Sequence, residues 1–380
     1  MNVSAVSPST PVGGWAGPWW GVKGVHSLVG MADNDSKGGA SAAGSMGIPG
    51  PVPPATGPSR RHTLRRLATT AGGAALAVGF GAQAARATDA DGTKGGGIGG
   101  GRTYVLVHGT HSAGAFWSAI GRELALRGHR VVAVDQPLHG TERFVPKAYQ
   151  TQDLAALATE PSPVAALTLD DFERRVTNAV RRAARLGAPV VLVGHSMGGL
   201  SVSRVANAVP ELLAHICYMA AFCPSRSMPS LNACAASPEG QRAISPVDQV
   251  IGDPEKLGVL RLNWRTSSRR DLALFKEMIC ADHTDEAFLR VLEGMQTDES
   301  LTAYEGRAVG RAGTWGRIPR TYLRFGKDRT IAAELQDRMI AEADELTPDN
   351  RFTVHNFPRS GHLGPPDTAR VTDLLHGLVL

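Results

Sequence analysis

Thirteen residues, Pro189 to Ser201, constrain the fold of this chain more than any others: PVVLVGHSMGGLS. Pro189 to Val193 is an apolar, β-branched run that reads as a buried strand, and it stops at Gly194-His195-Ser196-Met197-Gly198, the pattern G-x-S-x-G. A serine on a tight turn between strand and helix needs neighbours without side chains two residues to either side, because a Cβ there would strike the packed strand or the incoming helix. Gly194 and Gly198 meet that demand. Such a turn pushes Ser196 Oγ out over the sheet edge and leaves the Met197 backbone N–H at a helix N-terminus, where donor and dipole together stabilise a developing oxyanion. The alternative is a glycine-rich turn with an incidental serine; the flanking strand and helix count against it.

Strands and helices alternate around this point. A strand at 103–107 is followed by helical periodicity at 116–127, a strand at 130–134, and a helix to Leu186 opened by Thr168 and Asp171 as a capping box. After the serine turn come a helix at 197–209 and a strand at 214–222. Near-continuous apolar strands between helices argue an α/β fold with a mostly parallel sheet covered on both faces. The loop at 136–167 is long enough to suggest a function. Residues 223–316 show no convincing buried strand, only short helical stretches at 271–278 and 285–295, and are expected to form a mainly helical cap over the carboxyl edge of the sheet. The core resumes with a strand at 320–325, a helix at 331–343, a strand at 352–357 and a last helix from Asp367.

The first hundred residues read differently. Runs such as GIPGPVPPATGP and GGGIGGG cannot bury a core. Residues 1–58 are expected to be a disordered extension, and 88–101 a Gly-rich linker to a folded domain at 102–380. Residues 59–87 carry Arg60-Arg61, a mildly apolar stretch at 67–82 and Ala85-Arg86-Ala87, the layout of a twin-arginine export signal with its cleavage site. That stretch is too short and too rich in Ala and Gly to span a hydrocarbon core of about 30 Å. A secreted mature protein without a membrane span is therefore expected, with the twin-arginine export machinery as a partner. The formal charge of +5 lies in this leader: residues 1–87 hold seven Lys and Arg against two Asp, and residues 88–380 hold 33 of each sign. A neutral folded domain gives no support to nucleic-acid binding.

A serine hydroxyl is a weak nucleophile until a base takes its proton, and the base needs a carboxylate to hold its tautomer. Of the twelve histidines, only His362 lies between the last strand and the last helix, where the chain returns to the carboxyl edge. Among the others, His195 sits inside the serine turn, His108 packs beside the first loop, and His139 and His283 are loop histidines. The strand at 214–222 offers no carboxylate until Glu239, whereas the strand ending at Phe325 offers Asp328 at once. Asp135 competes for the acid role but precedes the serine, and it reads as a structural residue of the Asp-x-x-x-His-Gly turn.

The segments VLVHGTHSAGAFW, VVAVDQPLHG, VLVGHSMGGL, FGKDRTIAAELQ and SGH resemble successive landmarks of the α/β-hydrolases. The spacing from Asp328 to His362 and the start at Thr103 look most like the branch of plant methylesterases and hydroxynitrile lyases. The resemblance covers about 102–222 and 318–380. It implies an α/β-hydrolase fold, with Ser196 as nucleophile, His362 as base, Asp328 as acid, and the N–H groups of Thr110 and Met197 as oxyanion hole. The lyases of that branch replace the glycine of the His-Gly pair with threonine and place a lysine after the base. Here the pair is His108-Gly109 and Leu363 follows His362, which favours ester hydrolysis.

The expected reaction is cleavage of a carboxylic ester or lactone of a small hydrophobic substrate, with no cofactor. A lyase or cyclase reaction on the same triad, or a ligand-binding protein with little turnover, are the alternatives. The aromatic residues Phe116, Trp117, Trp264, Phe288 and Trp315 are candidates to line an apolar pocket. No Cys/His cluster has metal spacing, so no metal is expected. Cys217 reads as a core residue. Four cysteines allow three pairings, among them a bridge between Cys234 and Cys280, and the pairing of Cys223, Cys234 and Cys280 is left open.

Overall fold

The computed structural model describes residues 101–380; the expected extension, export signal and nearly all of the linker lie outside the described residues. Its strands in chain order are β1 (Thr103–Val107), β2 (Arg130–Val134), β3 (Val190–Ser196), β4 (His215–Ala221), β5 (Val259–Arg261), β6 (Asp298–Ser300), β7 (Arg320–Phe325) and β8 (Thr353–Phe357). Six of them form one parallel sheet in the order β2-β1-β3-β4-β7-β8. The chain steps from β1 outward to β2 and then back across to β3, so the order reverses between β1 and β3. Ligands of open α/β sheets bind outside the carboxyl ends of the strands at such a reversal.

Strand periodicity divides the core. Val105, Val107, Leu192, Ile216 and Tyr218 face one side, while Tyr104, Leu106, Val191, Val193, Cys217 and Met219 face the other. The first face is covered by α2 (Leu169–Ala184), α3 (Gly198–Ala208) and α6 (Ala333–Leu346), and the second by α1 (Ser118–Leu126) and α7 (Ala369–His376). The Thr168 capping box forms: its N–H and hydroxyl both donate to Asp171 Oδ2, at 2.9 and 2.8 Å. The loop at 136–167 folds into short helical turns, among them Lys147–Thr151 and Leu154–Leu157.

The segment between β4 and β7 is mainly helical, with α4 (Arg269–Cys280) and α5 (Asp285–Gly294) as its longest elements. It also contains what the sequence reading missed, a buried antiparallel pair of β5 and β6. The reason is chemical. Arg261, Asp298, Glu299 and Ser300 are all essentially without exposure, so these strands carry no apolar alternation. Charge pairing replaces it: Arg261 Nε and Nη2 donate to the two carboxylate oxygens of Asp298, each at 2.7 Å, and Arg261 Nη1 donates to the carbonyls of Leu157 and Glu160. A forked pair of this kind tolerates burial because nearly every donor has an acceptor.

Cys217, Cys223, Cys234 and Cys280 are all free thiols and all buried, so the bridge between Cys234 and Cys280 is absent. Burial pushes the Cys217, Cys223 and Cys280 thiols up to about 12 and raises Cys234 as well. The native protein should therefore be inert to a chromogenic disulfide reagent at pH 8, and unfolding in denaturant without reductant should release four reactive thiols. Two reactive thiols on unfolding would show that a disulfide is present.

Candidate active site

The loops at the carboxyl ends of β1, β3, β7 and β8 carry the candidate site residues. β3 ends at Ser196, whose φ of 54° lies in the left-handed region that a residue with a Cβ rarely enters. The tight approach expected of Gly194 and Gly198 is present. A Cβ on Gly194 would sit 2.7 Å from Val202 Cγ2, and one on Gly198 would sit 2.6 Å from the Val107 carbonyl oxygen. Beyond the turn, Met197 precedes α3 at its N-cap position.

Ser196, His362 and Asp328 form one hydrogen-bonded chain, and all three are buried. Ser196 Oγ lies 2.9 Å from His362 Nε2, and His362 Nδ1 lies 2.8 Å from Asp328 Oδ2. A carboxylate can only accept, so the Asp328 contact puts the proton on Nδ1 and leaves Nε2 free to accept from the serine. Asp328 is itself held: its Oδ1 accepts the N–H groups of Thr330 and Ile331, each at 2.8 Å. Gln336, given no role in the sequence analysis, ties this loop to β7 by donating to the carbonyls of Phe325 and Ile331 and accepting the Phe325 N–H.

The His362 loop is pinned from three directions. His195 Nε2–H donates to the His362 carbonyl at 2.9 Å, the Gly361 N–H donates to Asp282 Oδ2 at 3.1 Å, and the Leu363 N–H donates to the Ile279 carbonyl at 3.0 Å. Burial and the neighbouring His362 hold His195 well below the usual imidazole range, so it acts as a neutral strut.

Asp135 is structural, as expected, but its hydrogen bonds go outside the Asp-x-x-x-His-Gly turn. Its Oδ1 accepts the Gly114 N–H at 2.7 Å and its Oδ2 the Thr141 N–H at 3.3 Å; neither oxygen is bonded to His362.

The cavity over the serine is narrow, about 100 Å³. Ser196, His362, Gly109 and Thr110 share it with apolar side chains that include Leu260, Leu262, Trp264, Met278, Ile279 and Met295. Of the five aromatic candidates only Trp264 lines it. Phe116 instead stacks on the His195 ring at 4.5 Å, and Trp117 is wholly buried beside α1. Phe288 packs into the cap's own core, and Trp315 lies in the core between the sheet and its helices, where it donates to Tyr218 Oη at 2.8 Å. Trp264 and Met295 also line a second, more open cleft of about 830 Å³, so they form the wall between the two.

Gly109 explains one sequence difference physically. A Cβ there would lie 2.6 Å from Ser196 Cβ, so this backbone has no room for the threonine of the lyases. Among the described residues no group of three or more His, Cys, Asp and Glu is arranged to hold a metal ion.

The model of the alpha/beta hydrolase family matches residues 104–374. The chain belongs to that family. It is 24% identical over 281 residues to Esterase PIR7B of Oryza sativa subsp. japonica, covering 67% of this chain and 91% of the rice protein. It is 25% identical over 247 residues to the pyrethroid hydrolase of Sphingobium wenxiniae, covering 63% and 75%. The crystal structure of polyneuridine aldehyde esterase superposes with a TM-score of 0.53 at 18% identity, covering 72% of this chain and 98% of that one, a likeness of fold.

Proposed function

We propose that the protein hydrolyses a carboxylic ester or lactone of a small hydrophobic substrate through an acyl-enzyme on Ser196, with His362 as general base and Asp328 as its acid partner. The observation that carries this reading is the hydrogen-bonded chain from Ser196 Oγ through His362 to Asp328. Carboxylic ester hydrolysis is the reaction class of this chain, and relatives named esterase and pyrethroid hydrolase support it.

His362 Nε2 takes the hydroxyl proton as Ser196 Oγ attacks the ester carbonyl, and Asp328 stabilises the imidazolium that forms. The N–H groups of Thr110 and Met197 are assigned to the oxyanion hole, since Thr110 borders the cavity and Met197 stands at the start of α3. His362 then returns the proton to the leaving alcohol, and a water molecule repeats the sequence to release the acid. The apolar lining and the volume of about 100 Å³ favour a compact, uncharged group beside the serine.

The assignment of the acid separates two aspartates. Replacing a triad aspartate by asparagine keeps the shape, inverts a hydrogen bond, and costs on the order of 10⁴ in turnover. Asp328→Asn should lower kcat on p-nitrophenyl esters by at least about a hundredfold with a nearly unchanged Tm, whereas Asp135→Asn should lower Tm more than the kcat of the folded fraction. Kinetics and thermal melts on both variants check this, and the reverse pattern would move the acid to Asp135.

Residues 59–87 are proposed to direct export through the twin-arginine machinery. The secreted product should begin at or near Thr88, and Arg60→Lys with Arg61→Lys should hold the protein in the cytoplasm. N-terminal sequencing that finds residues 59–87 intact on the extracellular product would contradict this.

A further inference from the structure

The loop that carries Thr110 is strained and does not hold itself. His111 has a φ of 53°, a conformation that persists only where the surroundings over-determine it. The surroundings come from the cap. The His111 N–H donates to Glu299 Oε2 at 3.0 Å, the His111 carbonyl accepts the Gln296 N–H at 2.9 Å, and His111 Nδ1–H donates to the Gln296 carbonyl at 3.0 Å. The Gln296 carbonyl also accepts Trp264 Nε1–H at 2.9 Å.

Glu299 reaches the loop as a charge. The same Oε2 accepts from His139 Nε2 at 3.0 Å, while His139 Nδ1 lies 2.8 Å from the Pro137 carbonyl. Both partners of this ring can only accept, so both nitrogens must carry protons and His139 is an imidazolium. Both side chains of the pair are without exposure. The histidines beside it differ. His108 Nε2 accepts the Gln136 N–H, and burial with His139 alongside lowers it to about 4; burial also lowers His111.

We propose that Glu299 is a positioning residue for ester hydrolysis: by pairing with His139 and accepting the His111 N–H, it holds the Thr110 loop in the strained shape that aims its N–H at the oxyanion. This rests on the oxyanion assignment made above.

A pH dependence follows from the pair. Burial opposes the charge on Glu299, but His139 and His111 outweigh it and lower the carboxyl to about 2. Burial likewise opposes the charge on His139, and Glu299 outweighs it and raises the imidazole above 6.5. The other charged or titratable groups facing the pair are His108 and His111 from the loop after β1, Asp135 from the turn after β2, and Tyr304 from the helix after β6; Asp298 on β6 faces His111 and is paired with Arg261. In the folded protein the pair is therefore complete above the lowered Glu299 value of about 2, and it is lost as pH climbs through the raised His139 value. Turnover should fall on that alkaline limb.

The test is the pH profile of kcat and KM on one p-nitrophenyl ester for the wild type, Glu299→Gln and His139→Gln, with circular dichroism at each pH. The wild type should lose kcat on the alkaline side while remaining folded and keeping its KM. Glu299→Gln should lower kcat about 10- to 100-fold with KM changed less than about threefold, as expected of a small displacement at a distance from the chemistry. It should also move the alkaline limb to lower pH, because the imidazolium has lost its counter-ion. In His139→Gln, whose amide donates without titrating, the limb should vanish. A wild-type kcat that is flat to high pH, or a folded Glu299→Gln with unchanged kcat and limb, overturns the proposal, and the wild-type arm stands even where a variant fails to fold. A wild type with no esterase activity at all would defeat the proposed function instead, which keeps the two failures distinct.

Discussion

Ser196 is held in a backbone conformation that its own side chain disfavours. A non-glycine residue at φ 54° stays there only because the structure around it leaves no other path. The α3 backbone closes against β1 and β3 at distances that exclude a Cβ at Gly194 or Gly198. On the other side β4 slips by one residue against β3, with Ala220 at φ 40° taking up the extra length and the Phe222 N–H donating to the Ser196 carbonyl at 3.0 Å. The turn is thus clamped from both neighbouring strands. Every other site residue is placed relative to it, because the loops after β1, β7 and β8 leave the same sheet edge as β3.

The cap contributes more than a lid. It fixes the His362 loop through Asp282 and the Ile279 carbonyl, and it fixes the Thr110 loop through Gln296 and Glu299. The Ser196 turn is positioned by the sheet, whereas the His362 loop and the loop after β1 lean on a segment of quite different composition. Displacing the cap would disturb two loops while leaving the Ser196 turn intact. The narrow cavity follows from the same arrangement, with Trp264 tied to the Gln296 carbonyl and forming the wall toward the second cleft.

The sheet, its helices and the Ser196–His362–Asp328 chain were legible in the sequence because each has a local signature: β-branched runs of the right length, glycines that a tight turn demands, and a histidine and an aspartate directly after core strands. Even so, α6 begins at Ala333 and extends to Leu346, past the expected 331–343, since helix ends depend on contacts rather than periodicity. The cap sheet was illegible for a different reason. Asp298 and Glu299 look like a solvated acidic pair until Arg261, His111 and His139 are brought to them, and those residues lie 37, 188 and 160 positions away. No periodic pattern encodes such a pairing. Four of the five aromatic candidates for the pocket failed likewise, because size and polarity say that Trp117 or Trp315 must be buried but not against what.

The role proposed for Ser196 is open to a direct measurement. A fluorophosphonate probe phosphorylates or phosphonylates only a serine whose hydroxyl is activated by a neighbouring base. Intact-mass and peptide mass spectrometry of the probe-treated protein should show one adduct, on the peptide containing Ser196, and none in a folded Ser196→Ala variant. An adduct on another residue, or unchanged labelling and ester turnover in Ser196→Ala, would contradict the assignment of this site.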